Sequence, residues 1–154
     1  MWQRIQTVFL AIAVISLVAC IFLPIWGFNA SDGTIHELYP LHYSTIQNGA
    51  RTTNYFPYCI TAVLAIASAT LAIVSIRRYD NRLLQMKIGA LNSFLMAGTI
   101  ASGIVLSHNL TKITGGGQYG FGLFVPGIAV VCNLIANQFI RRDERLVRDS
   151  NRLR

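Results

Sequence analysis

The chain has 154 residues, of which 53% are hydrophobic and only 12% are charged, and its net charge is +7. An average soluble domain carries about twice that share of charged residues, and so short a chain has little core in which to bury long uncharged segments. This composition excludes an ordinary soluble domain. The basic residues flank the apolar segments instead of forming one polar module, which argues against a nucleic-acid partner.

Four uncharged segments predict four membrane-spanning helices, at residues 8–28, 57–76, 88–106 and 119–140. Each is long enough to cross a hydrocarbon core of about 30 Å. The short connection at residues 77–87 predicts that the second and third helices form a tight antiparallel hairpin. The fold class expected from this pattern is therefore an all-α membrane protein, an antiparallel four-helix transmembrane bundle that forms one domain.

The segment at residues 29–56 is polar and rich in turn residues. Asp32-Gly33 and Asn48-Gly49 are strong signals for two-residue hairpin turns, because both central positions of such a turn require a positive φ. Asn48-Gly49 separates 41–47 from 50–56, two segments rich in Tyr, Thr and Ile. We therefore expect a small β-hairpin or three-stranded meander between the first two helices, on the outer ends of the spans.

The basic residues also predict the orientation in the membrane. With both termini inside, the cytoplasmic segments contain eleven basic residues and the outer segments contain only Arg51 and Lys112. Short cytoplasmic loops carry an excess of Lys and Arg, so we predict that both termini are cytoplasmic and that residues 29–56 are outside. Cys20 and Cys59 would both lie toward the outer side, and a disulfide between them is left open.

Small and polar residues recur at helical spacing within the predicted spans. Such residues let helices approach closely in lipid, and Asn, Ser or Thr can bond across the gap. One interpretation is packing inside the bundle, and the other is contact with the helices of another protein. The candidate interaction residues are Ser68, Asn92, Thr99, Asn133 and Asn137.

Residues 141–154, at the end of the chain, are predicted to form a basic cytoplasmic tail that continues the last helix. The spacing of Arg141, Arg145, Arg148 and Arg152 places these four side chains on one helix face. Contact with anionic lipid, at about 1 kcal/mol per basic residue, is one interpretation. Docking to an acidic partner protein is the second, and contact with RNA or DNA is the weakest.

No constellation of residues indicates catalysis. The predicted spans contain no Asp, Glu, Lys, Arg or His, and such residues usually mark proton relays and coupled transport. His36, His42 and His108 lack the spacing of metal ligands. An enzyme site could be built only from one outer loop with Asp32, Glu37 and two of these histidines, so we predict a protein that is not an enzyme and has neither metal nor cofactor.

Both ends of the chain also carry a resemblance. Residues 1–7 (Met-Trp-Gln-Arg-Ile-Gln-Thr) and residues 140–148 (Ile-Arg-Arg-Asp-Glu-Arg-Leu-Val-Arg), followed by Arg-Leu-Arg at 152–154, resemble an uncharacterised four-span inner-membrane family of Bacteroidota. The resemblance covers the whole chain. It implies an inner-membrane location and a periplasmic outer side, and it supplies no catalytic residues, because no activity is established for that family.

These observations favour a non-enzymatic inner-membrane protein, an accessory or scaffold subunit of a larger envelope assembly. Its expected partners are membrane lipids and other inner-membrane subunits, reached through the polar helix faces and the basic tail. The alternative is a small-molecule or lipid-binding membrane protein or a transporter. A continuous polar cavity between the helices would favour that alternative, and a dry interior with an exposed small-residue face would favour the scaffold.

Overall fold

The computed structural model describes residues 2–78 and 81–152, and their side chains at 5–78 and 81–148. The elements follow the chain in the order α1 (Trp2–Phe22), β1 (Trp26–Asn29), β2 (Ile35–Leu38), β3 (Tyr43–Gln47), β4 (Ala50–Asn54), α2 (Ile60–Arg77), α3 (Arg82–Thr114), β5 (Gln118–Tyr119) and α4 (Val125–Arg152). A short 3₁₀ helix, Phe121–Leu123, lies between β5 and α4.

The prediction of an all-α fold is wrong. The described chain combines four helices with a five-stranded antiparallel sheet in the order β4-β3-β2-β1-β5. The sheet is also larger than the predicted hairpin or three-stranded meander. Four of its strands lie between α1 and α2, and β5 comes from the α3–α4 connection. These strands have two to five residues each, too few to show a clear period-2 pattern in the sequence.

Within the described residues, four helices are long and apolar enough to cross a membrane, as a multi-pass membrane protein requires. α1 packs against α2 and α4, and α3 packs against the same two helices. Their shared core is built largely from small side chains, which let the backbones approach closely. The buried members are Ala13, Leu17, Ala65, Ala69, Met96, Ala129 and Cys132.

The helices differ in extent from the predicted spans. α1 ends at Phe22 because Pro24 disfavours helical backbone just before it, and the chain from Trp26 to Asn29 is a strand. α3 is 33 residues long and runs well beyond residues 88–106 at both ends. The Asn81 side chain caps its start by accepting from the amide of Leu84 at 3.0 Å, and Gly115, in the left-handed conformation, ends it.

α4 continues without interruption from the last predicted span into the basic segment, and it is helical as far as Arg152. Residues 153 and 154 lie outside the described part of the chain. The basic tail is therefore an extension of α4 and not a separate element.

The two sides of the sheet have different surroundings. Directly paired residues share a side, so Trp26, Leu38 and Tyr43 lie on one side, called here the helix-facing side. Trp26 and Leu38 are fully buried there among residues that include Ile25 and Leu110. The other side, called here the open side, carries Gly27, Glu37, Ser44 and Thr53 in one row and Asn29, Ile35, Ile46 and Arg51 in the next.

Trp26 attaches the sheet to the end of α3. Its indole Nε1 donates a hydrogen bond of 3.0 Å to Thr111 Oγ1. Gly117, at a φ of 146°, passes against the indole ring so closely that a Cβ at this position would overlap it. The sheet is therefore packed on a helix end, and the glycine-rich connection is part of that contact.

The three cysteines are free thiols. Cys20 is buried, and its Sγ donates a hydrogen bond of 3.3 Å to the carbonyl oxygen of Gly122. Cys20 and Cys59 therefore form no disulfide in this structure.

Candidate functional site

Three of the five predicted helix-packing residues meet in one buried network between α2, α3 and α4. Ser68 donates to Asn92 Oδ1 at 2.6 Å. Asn92 Nδ2 lies 3.5 Å from Asn133 Oδ1, and Asn133 Nδ2 donates to Ser93 Oγ at 2.9 Å. Buried amides and hydroxyls are costly in a low-dielectric surrounding unless they are bonded, and here they are bonded to one another.

Asn137 lies beside this network, but its Oδ1 accepts no hydrogen bond from the described residues. Its amide packs against Gly89, whose carbonyl oxygen accepts from Asn133 Nδ2 at 3.0 Å. Glycine at position 89 is what allows this close contact between α3 and α4.

Thr99 is buried but stands apart from the network. Its hydroxyl donates to the carbonyl oxygen of Leu95 in the same helix at 2.9 Å, which is a common arrangement for Thr in helices. The Thr99 hydroxyl is therefore satisfied within its own helix.

Two further interhelical contacts involve residues outside the predicted set. Gln85 Nε2 donates to the carbonyl oxygen of Ser75 at 3.0 Å, and the hydroxyls of Thr61 and Ser102 lie 3.0 Å apart. Thr61 and Ser75 share a helix face with Ser68, and Gln85 shares one with Asn92 and Thr99, at the same helical spacing that indicated the predicted residues. Ser102 lies off those faces, and only the packing of the helices reveals its role.

A gap between the helices near the sheet, next to Cys20, Thr61 and Thr99, has no room for a water molecule. The hydroxyls of Thr61 and Thr99 bond to other protein atoms.

Residues 2–153 match the profile of a protein family described as Domain of unknown function (DUF4293). The chain belongs to this family. No curated protein matches the chain.

The basic residues of this DUF4293 chain lie mostly at the end of the helices opposite the sheet. Arg141, Arg145 and Arg148 are exposed. The side chain of Arg152 lies outside the described part, although its backbone belongs to α4. Asp143, on the same stretch, forms an ion pair of 3.2 Å with Arg82 at the start of α3.

The open side of the sheet carries a second polar cluster. The Tyr39 hydroxyl donates to Glu37 Oε2 at 3.3 Å, and the rings of Tyr39 and His42 stack with centroids 5.1 Å apart. Burial raises the pKa of Tyr39, and the charge of Glu37 raises it further. Burial also lowers the pKa of His42, with a smaller contribution from the charge of Arg51.

The residues considered for an outer catalytic site do not form one cluster: Glu37 and His42 both contact Tyr39, whereas His36 and Asp32 lie elsewhere. His36 lies on the helix-facing side, where its Nδ1 is 2.6 Å from the Tyr43 hydroxyl, while Glu37 lies on the open side. Asp32 accepts from the backbone amide of Thr34 at 3.0 Å in the β1–β2 turn, and this bond lowers the pKa of its carboxyl. Among the described residues, no three His, Cys, Asp or Glu side chains are grouped to hold a metal ion.

Proposed function

We propose that this chain is a non-enzymatic integral inner-membrane protein that serves as an accessory or scaffold subunit of a larger envelope assembly. The observation that carries the proposal is that the polar side chains between the helices bond to one another. Ser68, Asn92 and Asn133 bond to one another, so they hold the protein's own helices together. The surfaces left for a partner are the extramembrane sheet and the exposed end of α4.

The location forms part of the proposal. The excess of basic residues at the end opposite the sheet supports a cytoplasmic position for both termini and a periplasmic position for the sheet. The resemblance of the terminal segments to an inner-membrane family of Bacteroidota supports the inner-membrane location and a periplasmic outer side.

The basic face of α4 is the proposed docking element. Arg145 and Arg148 are exposed, as are Leu146 at 55% and Val147 at 42%. An acidic partner helix that lies along this face would contact the arginine charges, whereas Leu146 and Val147 lie toward the other side of the helix. Anionic lipid alone would contribute about 1 kcal/mol per basic residue without regard to their order.

The test exchanges neighbouring residues without changing composition. One variant combines Arg145→Leu with Leu146→Arg and Val147→Arg with Arg148→Val. Wild type and variant are purified from native membranes in mild detergent, together with an Arg51→Gln control at the other end of the molecule. We expect a stoichiometric membrane-protein partner with wild type and control, and its loss with the exchanged tail.

Recovery of the monomer with lipid alone would contradict the scaffold proposal. Equal recovery of the partner by the exchanged variant would assign the tail to lipid contact. The alternative function, a ligand-binding protein or transporter, gains no support from the gap near Cys20, which has no room for a water molecule.

A further inference from the structure

A groove lies beside the end of β5, at the edge of the sheet. Its volume is about 530 Å³, within the range of about 300–1,000 Å³ usual for small-molecule sites. Its lining from the open side includes Gly27, Asn29, Ile35, Glu37 and Gln118. The lining also includes Gly117, and Phe28 and His36 from the helix-facing side.

The groove exists because the sheet is incomplete at this edge. β5 pairs only with Trp26 and Gly27, and within the described chain the rest of β1 has no strand neighbour on that side. Gly27 adds no side chain, and the nearest atom to a Cβ placed there would be the His36 carbonyl oxygen at 3.7 Å. A glycine inside a strand often marks a place where another group approaches the backbone closely.

Glu37 is the acidic residue of the groove lining, and it has no ion-pair partner among the described residues. Arg51 lies outside the lining and directs its Nε and Nη2 to Ser44 Oγ at 3.2 and 3.0 Å, and Ser44 is the cross-strand partner of Glu37. The carboxylate accepts one long hydrogen bond from Tyr39, which leaves acceptor capacity for a ligand.

We propose that this groove binds a small polar ligand through a protonated amine, with Glu37 as the counter-ion. The carboxamide oxygens of Asn29 and Gln118 are further acceptors for the ammonium hydrogens. The apolar wall at Ile35 suits a short aliphatic stem. The inference concerns the open side of the sheet and does not depend on the proposed scaffold function.

The test measures binding of cadaverine to the full chain in detergent by isothermal titration calorimetry. Sorbitol serves as a neutral polyol of similar chain length, and a lysine-containing tripeptide as a larger amine. Glu37→Gln removes the charge, and Gly27→Leu fills the groove. Asp32→Asn is the matched control, because it removes another acidic charge from the same part of the molecule but outside the groove.

We expect saturable binding of cadaverine by wild type and Asp32→Asn. Glu37→Gln should weaken it by about tenfold or more, since a charge-assisted hydrogen bond is lost, and Gly27→Leu should abolish it. Thermal unfolding checks that each variant is folded. If Gly27→Leu does not fold, the binding measured for Glu37→Gln decides whether the proposal holds. Absence of saturable binding by wild type, equal binding by Glu37→Gln, or binding of sorbitol or the tripeptide alone would overturn the proposal.

Discussion

Individual contacts between α3 and α4 show how closely these helices approach. Gly89 and Asn137 touch at a point where a methyl group has no room. The hydrogen bonds of Asn133 to Gly89 and Ser93 hold the same two helices together. The small size of Gly89 and the hydrogen bonds of Asn133 therefore stabilise the same contact between α3 and α4.

Replacement of Gly89 by Ala should destabilise the protein by about 1–3 kcal/mol, because the added Cβ overlaps the Asn137 amide. Adding Asn137→Ala should restore part of the loss. Gly127→Ala in α4 is the control, since no atom lies within 4 Å of the new Cβ. Thermal denaturation in detergent measures all three, and a neutral Gly89→Ala would refute the account of this contact.

His42 makes the sheet sensitive to acid. Burial lowers its pKa from the ordinary value of 6.5, so the unfolded state binds a proton more readily than the folded state. The stability that neutral His42 contributes to the folded state is complete above pH 6.5. It is lost as the pH falls from there through the lower pKa of the folded state. Proteolysis of the sheet should therefore quicken on acidification, and His42→Phe should remove this dependence. The stability that the ionised Asp32 carboxylate contributes is lost only at lower pH, because its pKa is lowered from the ordinary value of 3.8.

At the scale of secondary-structure elements, the sheet depends on its helix-facing side. Leu38 is fully buried there, whereas Leu41, just beyond β2, is 40% exposed. The same residue type thus occupies two different surroundings within a few positions.

Leu38→Ala should cost about 2–5 kcal/mol and should make the sheet susceptible to protease while the helices remain intact. Leu41→Ala is the matched control and should have little effect. Limited proteolysis followed by mass spectrometry locates the cleavage sites. Equal protease resistance of the two variants would show that burial of Leu38 does not hold the sheet.

At the scale of the whole molecule, the sheet lies at one end of the helices and most exposed arginines lie at the other. Cysteine labelling tests the proposed orientation in a Cys59→Ser background. A membrane-impermeant maleimide should label Ser31→Cys in spheroplasts and should label Arg148→Cys only after the membrane is opened. The reverse pattern would invert the proposed orientation.

The sequence by itself determined the four apolar helices, because hydrophobicity and flanking charge act locally along the chain. It also determined the turn at Asn48-Gly49, where both residues adopt a positive φ and join β3 to β4. Stripes of small and polar residues indicated which helix faces would be buried.

Only the tertiary structure decided how distant segments meet. β5 is a two-residue strand that pairs with β1, and Trp26 is buried against a glycine-rich connection far along the chain. Asn92 and Asn133 are 41 positions apart. Such contacts depend on complementary shape and hydrogen bonding between elements, which no local pattern contains, and they placed Glu37 beside an open groove.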